Sequence, residues 1–382
     1  MPASLGVPRA AANDETRAAL TPDVVKRLRD AHAVDVHVAS GVGADAYHTD
    51  SDYEAAGASI VSDDDAWGAD IVLTLAPPSP ERCAVLSGGQ AVLGLLQPLD
   101  APQGLADIAK QGATALPMEL VPRISRAQSM DVLSAMSSLA GYRAALEAAL
   151  RLPKFFPLMS TAAGTIRPAS VLVVGAGVAG LQAIATAKRL GAKVRGYDIR
   201  DATREEIESL GASFVELELD TSLSEGDDGY AKELEQAKQE RQPELLRPHI
   251  AKSEVVITTA LIPGRPAPLV INEAAVKDMA PGSVVVDLAA PNGGNCALTE
   301  PGETVTRHDV HIMGPTNLPA TMPVHASELF ANTVRALLDY LLDDDGTLAL
   351  DLDDEVADAM CAVHNGAIRN ERVRGLVDTS AA

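Results

Sequence analysis

Short apolar runs alternate with amphipathic stretches along most of this chain, and their spacing predicts strands feeding helices. Ser4–Pro8, Val34–Ala39, Asp70–Leu75 and Ala91–Leu96 read as strands, with Asp52–Ala58 and Asp63–Gly68 as short helices among them. Another helix is expected from Thr21–Pro22, where a capping hydroxyl precedes a first-turn proline. Such alternation predicts a parallel sheet. From about Ser125 to Ala149 the pattern is helical throughout, and Gln128, Asp131 and Ser134 recur every three residues, which places them on one face of that helix. A helix at Ala202–Leu210 and strands at Ser213–Glu218, Ser253–Leu261, Gly282–Ala289 and Val310–Met313 follow. Asp220–Arg247 is polar and long for a connection, and loops of that length are usually functional or mobile. The amphipathic Ala326–Leu342 is expected to fold back on the first domain, and the acidic tail beyond it to fray.

Ser170–Arg200 carries the most complete local signal. Val171–Val174 is an apolar run suited to a buried strand, Gly175, Gly177 and Gly180 follow in GxGxxG spacing, and Leu181–Leu190 reads as a helix closed by Gly191. A second strand, Lys193–Tyr197, ends at Asp198. In such a βαβ unit the first glycine allows the tight turn, the second lets a pyrophosphate approach the backbone, and the third lets the helix pack on the sheet. Unpaired N–H groups at the helix start favour an anion. A carboxylate at Asp198 suits the two ribose hydroxyls of an adenosine and repels a 2′-phosphate, which favours NAD(H). Arg200 stands nearby and is of the type that accommodates such a phosphate; the acid at the strand tip decides the reading for NAD(H).

Composition narrows the classes. The 382 residues suffice for two or three domains, and 47% hydrophobic with only 3% aromatic content means aliphatic cores. No apolar run reaches the roughly 18 residues of a membrane span, and the N-terminus lacks a signal-peptide pattern, so a soluble intracellular protein without direct membrane insertion is expected. A net charge of −22 argues against nucleic-acid binding. Excess carboxylate with 22 Arg but 9 Lys suggests adaptation to high internal salt. Cys83, Cys296 and Cys361 are far apart, without metal-ligand spacing, and read as buried thiols; no metal is expected. His308 and His311 read as structural or solvent-facing, and the acidic runs Ser62–Asp65, Asp343–Asp345 and Asp351–Glu355 as solvated loops or helix ends.

A family resemblance extends over nearly the whole chain. Its motifs are GVPR at Gly6–Arg9, ETRAALTPD at Glu15–Asp23, RISRAQSMDVLS at Arg123–Ser134, LAGYRA at Leu139–Ala144, TAAGT at Thr161–Thr165, GAGVAGLQAIATAKRLGA at Gly175–Ala192, GYAKE at Gly229–Glu233, TTALIPGRPAP at Thr258–Pro268, DLAAPNGGNC at Asp287–Cys296 and TNLPATMPVHAS at Thr316–Ser327. The chain resembles the soluble NAD(H)-binding alpha subunit (first domain) of proton-translocating nicotinamide nucleotide transhydrogenase, and is more distantly similar to alanine dehydrogenase.

The resemblance implies an α/β fold of two Rossmann-like domains with parallel sheets, linked by long helices, the chain crossing between them twice. The expected division is 1–130 plus 321–382 against 131–320. It also implies that Arg123, Gln128, Asp131 and Ser134 contact or orient the nicotinamide end. Gly175, Gly177, Val178, Ala179 and Gly180 would hold the pyrophosphate, and Asp198, Ile199 and Arg200 the adenosine ribose. Tyr230 would belong to a mobile loop closing over the nucleotide, and Ala260, Leu261 and Pro263 would line the nicotinamide ribose together with Asp287–Asn295, where Pro291–Asn292 departs from the family pattern. The implied activity is hydride transfer between NAD(H) here and NADP(H) on a partner subunit, with separate membrane-embedded subunits moving protons, the chain forming a homodimer and docking from the cytoplasm on the inner face of the membrane. Direct transfer between two nicotinamide rings needs alignment and exclusion of water rather than a protein acid or base.

Two other readings stand beside it. Alanine dehydrogenase chemistry needs ionisable groups at the substrate; Arg17 keeps the family arginine, but Thr74 takes the lysine position, the histidine position falls near Gln97 and the aspartate position near Pro291. A non-catalytic NAD(H)-sensing protein would need only the binding residues.

Overall fold

The computed structural model describes residues 3–10, 14–217, 241–343 and 345–380. The chain divides into two units, Met1–Met136 with Pro319–Ala382, and Ser137–Leu318.

In the first unit, β1 (Ser4–Val7), β2 (Asp35–Ala39), β3 (Ser59–Val61), β4 (Ile71–Thr74), β5 (Ala91–Gly94) and β6 (Thr114–Pro117) pair in the order β6-β5-β4-β1-β2-β3, all parallel. β4, β5 and β6 are buried at every position, which is why they read as continuous apolar runs. The chain steps outward from β1 to β3 on one side and from β4 to β6 on the other, so the strand order reverses between β1 and β4. Helix Pro22–Ala31 begins at the anticipated Thr21–Pro22.

The first strands of the second unit form a two-stranded antiparallel hairpin, β7 (Met159–Thr161) and β8 (Gly164–Ile166), built around the TAAGT motif and paired with no larger sheet among the described residues. Its main sheet contains β9 (Ser170–Val174), β10 (Lys193–Tyr197), β11 (Ser213–Phe214), β12 (Val255–Thr258), β13 (Val284–Asp287), β14 (Thr304–Arg307) and β15 (Val310–Met313), in the order β11-β10-β9-β12-β13-β15-β14. Only the β14–β15 pair is antiparallel among these described strands. Alternate residues feed two cores: Val171, Val173, Val255, Ile257, Val284 and Val286 on one face, and Leu172, Val174, Val256, Val285 and Ile312 on the other. The strand order reverses here between β9 and β12.

The C-terminal stretch returns to the first unit. Helix Pro323–Leu341 buries Phe330, Val334 and Leu338, and Ser327 Oγ accepts Ala18 N at 2.9 Å. β16 (Val363–His364) then joins the β6 edge antiparallel, with β17 (Ala367–Ile368) outside it.

Three expectations need correction. The helical pattern from Ser125 is not one helix: Ser125–Met130 is a 3-10 turn, Asp131 leaves helical geometry at φ −79° and ψ 88°, and the α-helix runs Val132–Arg151. The cause is local, since the Asp131 carboxylate accepts Ser134 N at 2.9 Å and Ser134 Oγ at 2.6 Å, capping the new helix instead of continuing the old turn. The acidic tail does not fray over its described length, because Val356, Ala357, Met360, Val363 and Val373 are buried. The polar stretch is not loop to Arg247, since residues 241–251 are helical. Its middle, with Tyr230, lies outside the described residues. No described helix is long and apolar enough to cross a membrane.

Candidate functional site

Ligands of open α/β sheets sit outside the carboxyl ends of the strands where strand order reverses. In the second unit that place is defined by the loops after β9 and β12. Gly175 has φ +98°, a conformation that favours glycine, and its N–H closes on Tyr197 O at 2.8 Å. Gly177 caps helix Val178–Arg189; a Cβ there would enter open space. A Cβ on Gly180 would lie 1.8 Å from Gly175 O, so helix and turn touch only because no side chain intervenes. The first intrahelical donor is Leu181 N, on Gly177 O at 2.9 Å; the amides of Val178, Ala179 and Gly180 precede it, in the first turn where helices offer N–H groups to an anion. Behind this turn lies Gly141 of the LAGYRA motif, where a Cβ would sit 2.0 Å from Ala179 O.

Asp198 stands beyond the tip of β10, 8% exposed. Its carboxylate accepts Ala176 N at 2.7 Å and Arg200 N at 2.9 Å, and takes Arg200 Nε and Nη2 at 3.0 Å each. Burial pushes its pKa up, but these bonds, led by the Arg200 side chain, outweigh burial and hold it below the usual carboxylate range. Arg200 is therefore engaged by Asp198 rather than waiting for a phosphate. Val178, Ile199, Leu261 and Ile262, all following the carboxyl ends of β9, β10 and β12, are exposed large apolar side chains.

The loop after β12 is tied to its neighbours by polar contacts. Thr259 N donates to Val174 O at 2.9 Å, and Thr259 Oγ1 to Gly175 O at 3.1 Å. Asp287, fully buried at the end of β13, accepts Thr258 Oγ1, Ala289 N, Asn295 N, Cys296 N and Thr299 Oγ1 at 2.7–3.1 Å. Five hydrogen-bond donors satisfy that buried carboxyl group.

In the first unit, Arg123, Gln128, Asp131 and Ser134 line one pocket of about 400 Å³ together with Pro122, Ile124, Ser125 and Ala127. Arg123 is largely exposed and its Nε lies 3.9 Å from Asp131 Oδ2. The segment is anchored from far along the chain: Arg126 donates through both terminal nitrogens to Asp354, at 2.7 and 3.1 Å, and Tyr340 donates its hydroxyl to the same carboxylate. Asp354 also caps helix Glu355–Met360. The Asp351–Glu355 run, expected as a solvated helix end, thus supplies the anchor of the pocket-forming turn.

Sequence reasoning places the glycine turn, Asp198 and the Arg123–Ser134 group. It misses Gly141, whose signal is a glycine inside a helical pattern, and the Arg126–Asp354–Tyr340 anchor, which has no local signal. All three cysteines are buried, and burial pushes each thiol up to about 11.

Two family models match, alanine dehydrogenase/PNT N-terminal domain over residues 6–140 and alanine dehydrogenase/PNT C-terminal domain over residues 144–371. An NAD(P) transhydrogenase alpha-subunit polypeptide of Rhodospirillum rubrum is 42% identical over 381 residues, covering 97% of this chain and 99% of that one. The crystal structure of transhydrogenase from Sinorhizobium meliloti superposes with a TM-score of 0.86 at 39% identity, covering 96% of this chain and 99% of that one. Alanine dehydrogenase of Mycobacterium tuberculosis is 30% identical over 388 residues, covering 97% and 95% respectively.

Proposed function

Because the chain belongs to the alanine dehydrogenase/PNT family, among the NAD(P) transhydrogenase alpha subunits, we propose that it binds NAD(H) and exchanges hydride with NADP(H) held by a partner subunit. The observation that carries the proposal is the glycine turn with Asp198: open space over Gly177, first-turn amides at Val178–Gly180, and a carboxylate kept ionised and held in place at the β10 tip by Ala176 N and Arg200. These residues fit a dinucleotide pyrophosphate and an adenosine diol. Arg200 is paired, so it does not stand ready for a 2′-phosphate, which supports NAD(H) over NADP(H).

When bound, the nicotinamide supplies the hydride chemistry. The chain's own groups have positioning work to do. Val178, Ala179 and Gly180 amides hold the pyrophosphate, and Asp198, Ile199 and Arg200 hold the adenosine end. Ala260, Leu261 and Pro263 line the nicotinamide ribose. Arg123, Gln128, Asp131 and Ser134 orient the carboxamide and ribose hydroxyls, and none of them needs to exchange a proton. Proton translocation is assigned to separate membrane-embedded subunits on which this chain docks from the cytoplasm at the inner face of the membrane. The homodimer is supported by the β7–β8 hairpin, which joins no larger sheet among the described residues and is marginal by itself, and by the exposed Leu150, Phe155, Leu158 and Ile166 in and before it along the chain, which a second copy would cover.

The test is a titration of the isolated chain followed by reconstitution with an NADP(H)-binding partner. NADH should bind with a change in its fluorescence, NADPH much more weakly, and hydride exchange should appear once the partner is added. Tight NADH binding without exchange would mean a sensor instead.

A further inference from the structure

One side chain fastens both ends of the loop after β12. Asn295 is fully buried. Its Oδ1 accepts Ala260 N at 3.0 Å, and its Nδ2 donates to Ala260 O at 2.9 Å and to Pro268 O at 2.8 Å. Its main-chain carbonyl accepts Val270 N at 2.8 Å and Ile271 N at 2.9 Å, and its own N–H is held by Asp287 at 2.8 Å. The stretch from Ala260 to Pro268 therefore starts and finishes on the same residue. Between the two fixed points, Leu261 and Ile262 are exposed apolar side chains in a segment rich in proline and glycine, whose further main-chain bonds include Arg265 N to Ile262 O at 3.1 Å and Ala267 N to Asn292 O at 2.8 Å.

We propose that Asn295 is a positioning residue that sets affinity for the nicotinamide half of the dinucleotide by holding Ala260–Pro268 in its binding shape. The inference rests on the proposed NAD(H) reading, in which this loop meets the nicotinamide ribose. The site demands one acceptor and two donors at fixed positions, and an amide of this length supplies them. A carboxylate of the same shape still accepts Ala260 N but places an oxygen against the carbonyls of Ala260 and Pro268, so the two Nδ2 bonds are lost and replaced by repulsion, and the Pro268 end is released. The glycine turn meets this loop through Thr259, whose bonds to Val174 O and Gly175 O do not pass through Asn295, and Asp198 is not bonded to Asn295, so the adenosine half should respond far less than the nicotinamide half.

The experiment titrates the full chain and its Asn295→Asp and Asn295→Ser variants with two probes, NADH and ADP, alongside thermal melting. ADP reports the adenosine and pyrophosphate subsite alone. The expected result for both variants is NADH dissociation weakened about tenfold or more, ADP dissociation within about twofold of the parent. Asn295→Ser carries no charge and serves if Asn295→Asp does not fold. Equal weakening of NADH and ADP, or unchanged NADH binding, would overturn the assignment. A parent chain that binds ADP and not NADH would instead refute the functional reading beneath it.

Discussion

Replacing Gly141 by alanine sets two effects of opposite sign against each other. Gly141 is buried inside helix Val132–Arg151, where alanine is intrinsically better than glycine by about 1 kcal/mol. Its Cβ, however, would lie 2.0 Å from Ala179 O and 2.8 Å from Ala179 C. Both are main-chain atoms, so no side-chain rotation relieves the overlap, and the upper end of the overpacking range, about 3 kcal/mol, applies. The net loss is about 2 kcal/mol, a fall in melting temperature of about 4–8 °C. The displaced atoms belong to the first turn of Val178–Arg189, so NADH affinity should fall as well. Gly375→Ala is the control. An added Cβ there meets no heavy atom within 4 Å, and this helical position should gain up to about 1 kcal/mol. The assays are thermal melting and NADH fluorescence titration. A Gly141→Ala protein melting at or above the parent would refute the dependence of this helix contact on the missing side chain.

Five further outcomes are expected. Asp198→Asn should weaken NADH binding by about 10- to 100-fold, the loss of charge-assisted bonds to a ribose diol, and reduce discrimination against NADPH in the same titration. Because the folded-state pKa of Asp198 is depressed, its contribution to stability is present above the ordinary carboxylate pKa near 4 and is lost as pH falls through the lower folded value; the stability gap to Asp198→Asn, followed by urea unfolding, should therefore narrow only below about pH 4. Gln128→Asn should slow hydride transfer in single-turnover assays more than it weakens NADH binding, since the shorter arm misplaces the ring without removing the pocket. Asp354→Asn should lose at least as much transfer rate as Arg126→Ala, because Asp354 also holds Tyr340 and caps a helix, and the double variant should lose no more than Asp354→Asn alone; additive losses would argue that Arg126 and Asp354 act separately. Melting temperature should rise across a KCl series to molar concentration if carboxylate excess is an adaptation to salt.

How much of the fold and the site is legible in the sequence depends on how local the controlling interaction is. Strand, glycines, helix and Asp198 lie within one stretch, so the turn that would hold a pyrophosphate can be read from spacing alone. The three-residue recurrence groups Asp131 with Gln128 and Ser134, which line one pocket, but not as one helix face: Asp131 ends one turn and caps the next helix, and periodicity does not distinguish a capping carboxylate from a face residue. Asp354 reads as a solvated acid because its partner Arg126 lies 228 positions away, outside any local pattern. Asn295 sits in a recognised motif, but its role appears only when the loop after β12 is folded against it. The TAAGT hairpin escapes the strand pattern because its strands are three residues each and almost wholly exposed, so no alternation of buried and polar positions is there to read.

Direct passage of hydride from a nucleotide held here to one held by a partner is tested most directly by isotope tracing. NADH carrying deuterium at the transferred C4 position would be supplied to the chain reconstituted with an NADP(H)-binding subunit, and the NADPH analysed by mass spectrometry. Deuterium should be retained in the NADPH, because no protein group or solvent proton intervenes. NADPH without the label, or NADH that binds and never gives up its hydride, would contradict direct transfer.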